Sequence, residues 1–142
     1  MLDIRLMTCF EMVRGNGTVC DVGTDHALLA AELINSGKCS RVIASDIKEG
    51  PLESAENTVE KYGIADRVDL VLSDGLANVP LDGVSDIVIA GMGGETIADI
   101  IENCDALRMP ENSEINLVLQ PMTKAEILRK KLYEMGYTVS AE

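Results

Sequence analysis

Tryptophan is absent, phenylalanine occurs once and tyrosine three times, so aromatic side chains make up only 3% of the 142 residues. That scarcity leaves few stacking platforms of the kind single-strand nucleic-acid binders use. Positive charge is scarce too: 12 Lys and Arg stand against 24 Asp and Glu, for a net charge of −12. Non-specific binding of nucleic acid needs a positive surface, which this balance does not favour. No apolar run approaches the ~18 residues of a membrane span. Residues 1–13 are interrupted by Asp3, Arg5 and Glu11, unlike a secretory leader. A cytoplasmic protein with no membrane partner is therefore expected. The four cysteines, Cys9, Cys20, Cys39 and Cys104, form no C-x-x-C pair and there is one histidine, so neither a metal site nor a disulfide framework is expected.

What the chain does have is 46% hydrophobic content, enough for a core within one domain spanning residues 1–142. Leu2, Leu6, Cys9, Phe10 and Val13 recur at helical intervals, which predicts a lead-in helix within residues 1–15. Strand-like runs follow at 19–22, 41–46, 68–72, 87–90 and 117–119. Several are almost continuously apolar, as strands buried on both faces are. Helices are predicted from about His26 to Ser36, from Gly50-Pro51 to near Tyr62-Gly63, and after Gly93-Gly94. A last helix runs from Thr123, where Glu126 completes a capping box, to Gly136. A loop is read at Met109-Pro110-Glu111-Asn112. The alternation gives an α/β fold, an open, doubly wound, mostly parallel sheet with helices on both faces.

In such sheets ligands bind outside the carboxyl ends of the strands. Polar or glycine-rich sequence stands at each predicted end: Asp21-Val22-Gly23-Thr24-Asp25-His26, Asp46, Ser73-Asp74-Gly75, Ala90-Gly91-Met92-Gly93-Gly94 and Gln120-Pro121-Met122. Gly23 lets the backbone approach a ligand, and Asp46 follows it by roughly 20 residues, the spacing of a carboxylate that binds ribose hydroxyls. Asp74 is placed to accept from an adenine amino group. A nicotinamide dinucleotide is disfavoured, because Asp25 and His26 stand where its fingerprint needs glycine and a carboxylate there repels a pyrophosphate. The same carboxylate suits the ammonium and sulfonium of S-adenosylmethionine. Plainer roles compete. Gly91, Gly93 and Gly94 can make a tight turn, His26 can be an ordinary helix-start residue, and Lys124, Arg129, Lys130 and Lys131 can complement a helix dipole rather than form a basic patch.

The strings Asp21-Val22-Gly23-Thr24-Asp25-His26-Ala27, Gly50-Pro51, Asp74-Gly75-Leu76, Ile89-Ala90-Gly91-Met92-Gly93-Gly94 and Leu119-Gln120-Pro121-Met122 resemble the TrmK-type bacterial tRNA (adenine(22)-N1)-methyltransferases over nearly the whole chain. The resemblance implies a Rossmann-like class I methyltransferase fold. It implies S-adenosyl-L-methionine held by Asp21, Gly23, Thr24, Asp25, His26, Asp46, Asp74, Gly75, Ala90, Gly91, Met92 and Gly93. It implies Arg5, Asp25 and Gln120 at the acceptor, with Asp25 stabilising the charge that develops on the purine. Members of this family continue beyond Tyr137-Thr138-Val139-Ser140 into another strand and a helical extension. The resemblance therefore implies a truncated C-terminal sheet edge, open to pairing with a second copy, and a weak grip on tRNA. Two alternatives stand beside it: a methyltransferase for a small-molecule or protein acceptor, and a non-catalytic cofactor-binding fragment.

Overall fold

A computed structural model of the protein describes residues 2–110 and 114–142. The chain runs α1 (Ile4–Met12), β1 (Thr18–Val22), α2 (Leu28–Asn35), β2 (Val42–Asp46), α3 (Glu49–Lys61), β3 (Val68–Leu72), β4 (Val84–Met92), α4 (Gly94–Glu102), β5 (Asn116–Pro121) and α5 (Ala125–Met135). The strands form one sheet in the order β3-β2-β1-β4-β5, and each pairing is parallel. Chain direction across the sheet reverses at β1, so the crevice between β1 and β4 is the topological switch point where such folds take ligands.

Through the middle of each strand side chains alternate across the sheet, which divides the core in two. Val19, Val42, Ala44, Val88 and Val118 meet α1, α2 and α3, while Cys20, Val22, Ile43, Ile87 and Ile89 meet α4 and α5. The doubly wound architecture read from the sequence is what the chain adopts.

Three local readings need correction. Helix α2 starts at Leu28 rather than His26, because Asp25 and Ala27 both take the left-handed conformation (φ 55° and 57°) and turn the chain first. The capping box at Thr123 and Glu126 does not form. Lys124, at φ 53°, occupies the cap position without a side-chain cap, and the Thr123 carbonyl instead accepts the Gly94 N–H at 2.7 Å. Strand β4 continues through Gly91 and Met92, read from sequence as a turn, because Pro121 of β5 extends far enough to pair with Met92. The loop read at 109–112 falls partly outside the described residues.

Asp86 carries an unforeseen share of the fold. It is fully buried at the start of β4, and its carboxylate accepts the N–H groups of Arg14 and Gly15 at 2.9 Å, the Ser85 hydroxyl at 2.7 Å and the Asn116 amide at 2.9 Å. Burial alone would raise its pKa; these donors outweigh burial and hold the carboxyl below its ordinary value. A carboxyl depressed in the folded state contributes stability that is fully present above its unfolded pKa of about 3.9 and is lost as pH falls through the lower folded value. Asp86→Ala, which leaves four donors without their acceptor, is expected to cost about 3 kcal/mol at pH 7. Urea unfolding of both proteins from pH 7 down to pH 3 checks this, with the gap narrowing toward the acid end.

Candidate functional site

Strand β1 ends in a turn stitched to its neighbour: the N–H groups of Gly23 and Thr24 both donate to the Ser45 carbonyl at 2.9 Å. Gly23 has φ 74° and lies under Met92, whose Cε would stand 2.6 Å from any added Cβ. A side chain there would meet both strain and the methionine tip. Asp25 and Ala27, non-glycine residues in the left-handed region, store about 1 kcal/mol of strain each. Such strain persists where surrounding structure fixes the backbone, and it tips Asp25 and His26 outward. Their side chains are 71% and 58% exposed, with His26 Nε2 3.7 Å from Asp25 Oδ1.

Below this turn a cavity of about 300 Å³ opens at the β1/β4 switch point. One wall is Asp21 with the turn 23–26, a second is Ala90, Gly91 and Met92, and α1 supplies Arg5 and Leu6. Leu28 and Leu29 of α2, which the sequence does not single out, complete an apolar side. Asp21 is buried, and Thr24 Oγ1 donates to its Oδ2 at 3.0 Å. Burial pushes its pKa up to about 6, against the Thr24 hydrogen bond and with a further rise from the charge of Asp46. A carboxylate in that condition favours a cation beside it.

The remaining predicted residues fall around this cavity unequally. Asp46, at the tip of β2, accepts the Lys48 N–H at 3.1 Å and is close enough to act on Asp21, yet does not line the cavity. Asp74 and Gly75 border a separate hollow of about 390 Å³ with Thr96, Asp99 and Ile100 of α4. They share the carboxyl edge of the sheet with Asp21, two strands away. Gly93 caps α4 and lies against Thr123, whose Oγ1 would be 3.1 Å from a Cβ there. Gln120 sits at the rim, where its Oε1 accepts from Gly91 N at 3.0 Å and from Arg5 Nη1 at 3.3 Å. Of the cations weighed as a helix-dipole complement or a basic patch, Lys124 stands at the cap before α5 and none lies in its last turn, and three are ion-paired: Lys124 with Glu95 at 2.6 Å, Arg129 with Glu142 at 2.7 Å and Lys131 with Glu102 at 2.5 Å.

A family model described as a methyltransferase domain matches residues 2–142. The chain is 36% identical over 142 residues to a Bacillus subtilis protein named tRNA (adenine(22)-N(1))-methyltransferase, an overlap covering 99% of this chain and 58% of that one. A Streptococcus pneumoniae structure in complex with S-adenosyl-L-methionine superposes with a TM-score of 0.89 at 36% identity, over 99% of this chain and 65% of its own. The structure of Mycoplasma capricolum TrmK with S-adenosyl-homocysteine gives a TM-score of 0.87 at 28% identity, over 100% of this chain and 62% of its own. The chain thus spans about three-fifths of the length of these relatives.

Proposed function

Because the chain belongs to the methyltransferase-domain family, we propose that residues 1–142 form an S-adenosylmethionine-binding unit that methylates N1 of adenosine 22 in tRNA. The observation that carries this reading is the cavity at the β1/β4 switch point, walled by a buried carboxylate, a strained acidic turn and a glycine-bearing strand tip. When bound, S-adenosylmethionine supplies an activated methyl group on a sulfonium. Asp21, Gly23, Thr24 and His26 then hold the cationic end, where an ammonium partner relieves the cost of the buried Asp21 charge. Asp46 on the neighbouring strand receives the ribose hydroxyls, and Asp74 with Gly75 the adenine. Two strand spacings, about 10 Å, separate β1 from β3, a span suited to a nucleoside carrying an amino-acid tail.

Adenine N1 has an in-plane lone pair, so the chain needs no strong base; holding donor and acceptor in line supplies most of the acceleration. Arg5 and Gln120 border the acceptor, and the exposed Asp25 carboxylate faces the positive charge that develops on the purine. With a net charge of −12, the chain grips tRNA weakly and in a strongly salt-dependent way. Its setting is the cytoplasm, and the open edge of β5 is where a second copy would pair. Incubation with labelled methyl donor and unmodified tRNA is expected to place label on N1 of adenosine 22; label on another base, or none, overturns the assignment.

The ion-paired cations on and just before α5 favour a second reading, a small-molecule or protein acceptor, since they leave little free positive surface there. A screen of acceptors under the same conditions separates the two. A purely cofactor-binding role predicts instead that Asp25→Ala leaves the biological effect intact.

A further inference from the structure

Gly91 leaves the ladder between β4 and β5. Ala90 pairs with Gln120 and Met92 with Pro121, and the register shifts between them. Its φ of 79° turns its N–H out of the strand pairing, and the Gln120 side chain accepts that N–H at 3.0 Å. The same oxygen accepts Arg5 Nη1 at 3.3 Å. Since both partners are donors, the Gln120 amide has one workable orientation, oxygen inward, with Nε2 donating to the Pro121 carbonyl at 3.2 Å. Arg5 lies directly on the Gly91 backbone: a Cβ there would stand 2.6 Å from Nη1. A bulge beside a binding site commonly re-aims a side chain, and here it seats a guanidinium.

Arg5 is the only Lys or Arg that lines the cavity among the described residues, while Asp21 and Asp25 line it from the β1 turn. Its ion pair is loose, Nη2 to Asp3 Oδ2 at 3.6 Å, so most of its five N–H donors remain available. An arginine fixed in one plane presents a fork that matches a phosphate, whereas a mobile one loses that match. Resting on the tRNA reading above, we propose that Gln120 is a positioning residue that fixes Arg5 as the contact for a backbone phosphate beside the acceptor base. Gln120 acts through Arg5 and does not touch the reacting atoms. The cavity then carries the buried Asp21 at its cofactor end and Arg5 beside the exposed Asp25 at its nucleotide end.

A double-mutant cycle tests this in the full chain, using anisotropy of labelled unmodified tRNA with S-adenosylhomocysteine present at 50 and 200 mM salt, beside methyl-transfer kinetics. Arg5→Ala is expected to weaken tRNA binding about tenfold at low salt and to flatten the salt slope by about one phosphate contact. Gln120→Met, isosteric but without the acceptor, should reproduce about half of that effect or more, raise KM for tRNA rather than lower kcat, and add nothing in the Arg5→Ala background. Additive losses, an unchanged salt slope or an unchanged tRNA affinity in Arg5→Ala overturn the proposal. Should Gln120→Met fail to melt cooperatively, Gln120→Leu takes its place in the cycle and is read against the same outcomes. Absence of methyl transfer by the wild type, with the slope change intact, refutes the catalytic reading and leaves the phosphate contact standing.

Discussion

Asp21→Asn is expected to make the ligand-free protein more stable at pH 8 and to abolish its useful affinity for S-adenosylmethionine. The two effects have one cause. The buried Asp21 carboxyl has its pKa raised to about 6, against about 3.9 in an unfolded chain. Between these values the native state binds more protons than the unfolded state, so stability from this group falls as pH rises through that window and stays low above it. The shift corresponds to about 3 kcal/mol withheld from the fold at pH 8. Asparagine keeps an acceptor for the Thr24 hydroxyl without the charge. Urea unfolding should therefore show a gain of up to about 3 kcal/mol at pH 8 that shrinks toward pH 4. Affinity for S-adenosylmethionine should drop about 100-fold or more, because its ammonium loses a buried partner. A variant that is less stable at pH 8, or that binds cofactor as the wild type does, removes Asp21 from the site.

Gly94→Ala carries the second large effect, and it is steric rather than conformational. A methyl group at Gly94 would lie 2.1 Å from the Lys124 carbonyl oxygen and 2.8 Å from its carbon, both backbone atoms. The first turn of α4 and the connection from β5 to α5 touch there, held by Gly94 N–H to the Thr123 carbonyl at 2.7 Å and Met122 N–H to the Met92 carbonyl at 2.8 Å. Admitting the methyl forces these segments apart and breaks at least the first bond, at a cost of about 3 kcal/mol or more. The tip of β4 moves with them, so cofactor affinity falls too. Gly50→Ala is the matched control. It lies in α3, clear of everything but its chain neighbours; Pro51 follows directly and disfavours the helical backbone for a residue with a Cβ, which offsets the gain in helix propensity, so a change within about 1 kcal/mol is expected. Thermal melts should show a large drop for Gly94→Ala and a small change for Gly50→Ala; an unchanged melt for Gly94→Ala contradicts the steric account.

Elements of this fold that rest on local physics are legible in the chain itself. The nearly continuous apolar run at 87–90, in the middle of β4, declares a buried parallel strand, and Gly136, at φ 92°, marks the end of α5 as its position implied. The β1 turn was legible because Gly23 stands directly after an apolar strand that carries Asp21 near its end. Legibility failed where long-range contacts or rare backbone states decide. Nothing in Asp25, Ala27 or Lys124 signals a left-handed conformation, which L side chains seldom adopt, so both helix starts were placed too early. Asp86 gathers its partners from residues 14, 15 and 116, and no local pattern announces that; its one signal is a carboxylate inside an apolar strand. Asp74 and Gly75 were grouped with Asp21 by topology alone. The packing of Ile100, 3.1 Å from a Cβ at Gly75, encloses them in their own hollow. The double acceptance by Gln120 depends on a bulge that spacing does not encode.

Whether the β1/β4 crevice holds S-adenosylmethionine is tested most directly by titrating the ligand into isotopically labelled protein and following backbone amides by NMR. Saturable shifts centred on residues 21–27 and 90–92, with smaller ones at 46 and 74–75, are expected. No perturbation at millimolar ligand, or one confined to α5 and the outer edge of β5, contradicts a cofactor site at that crevice.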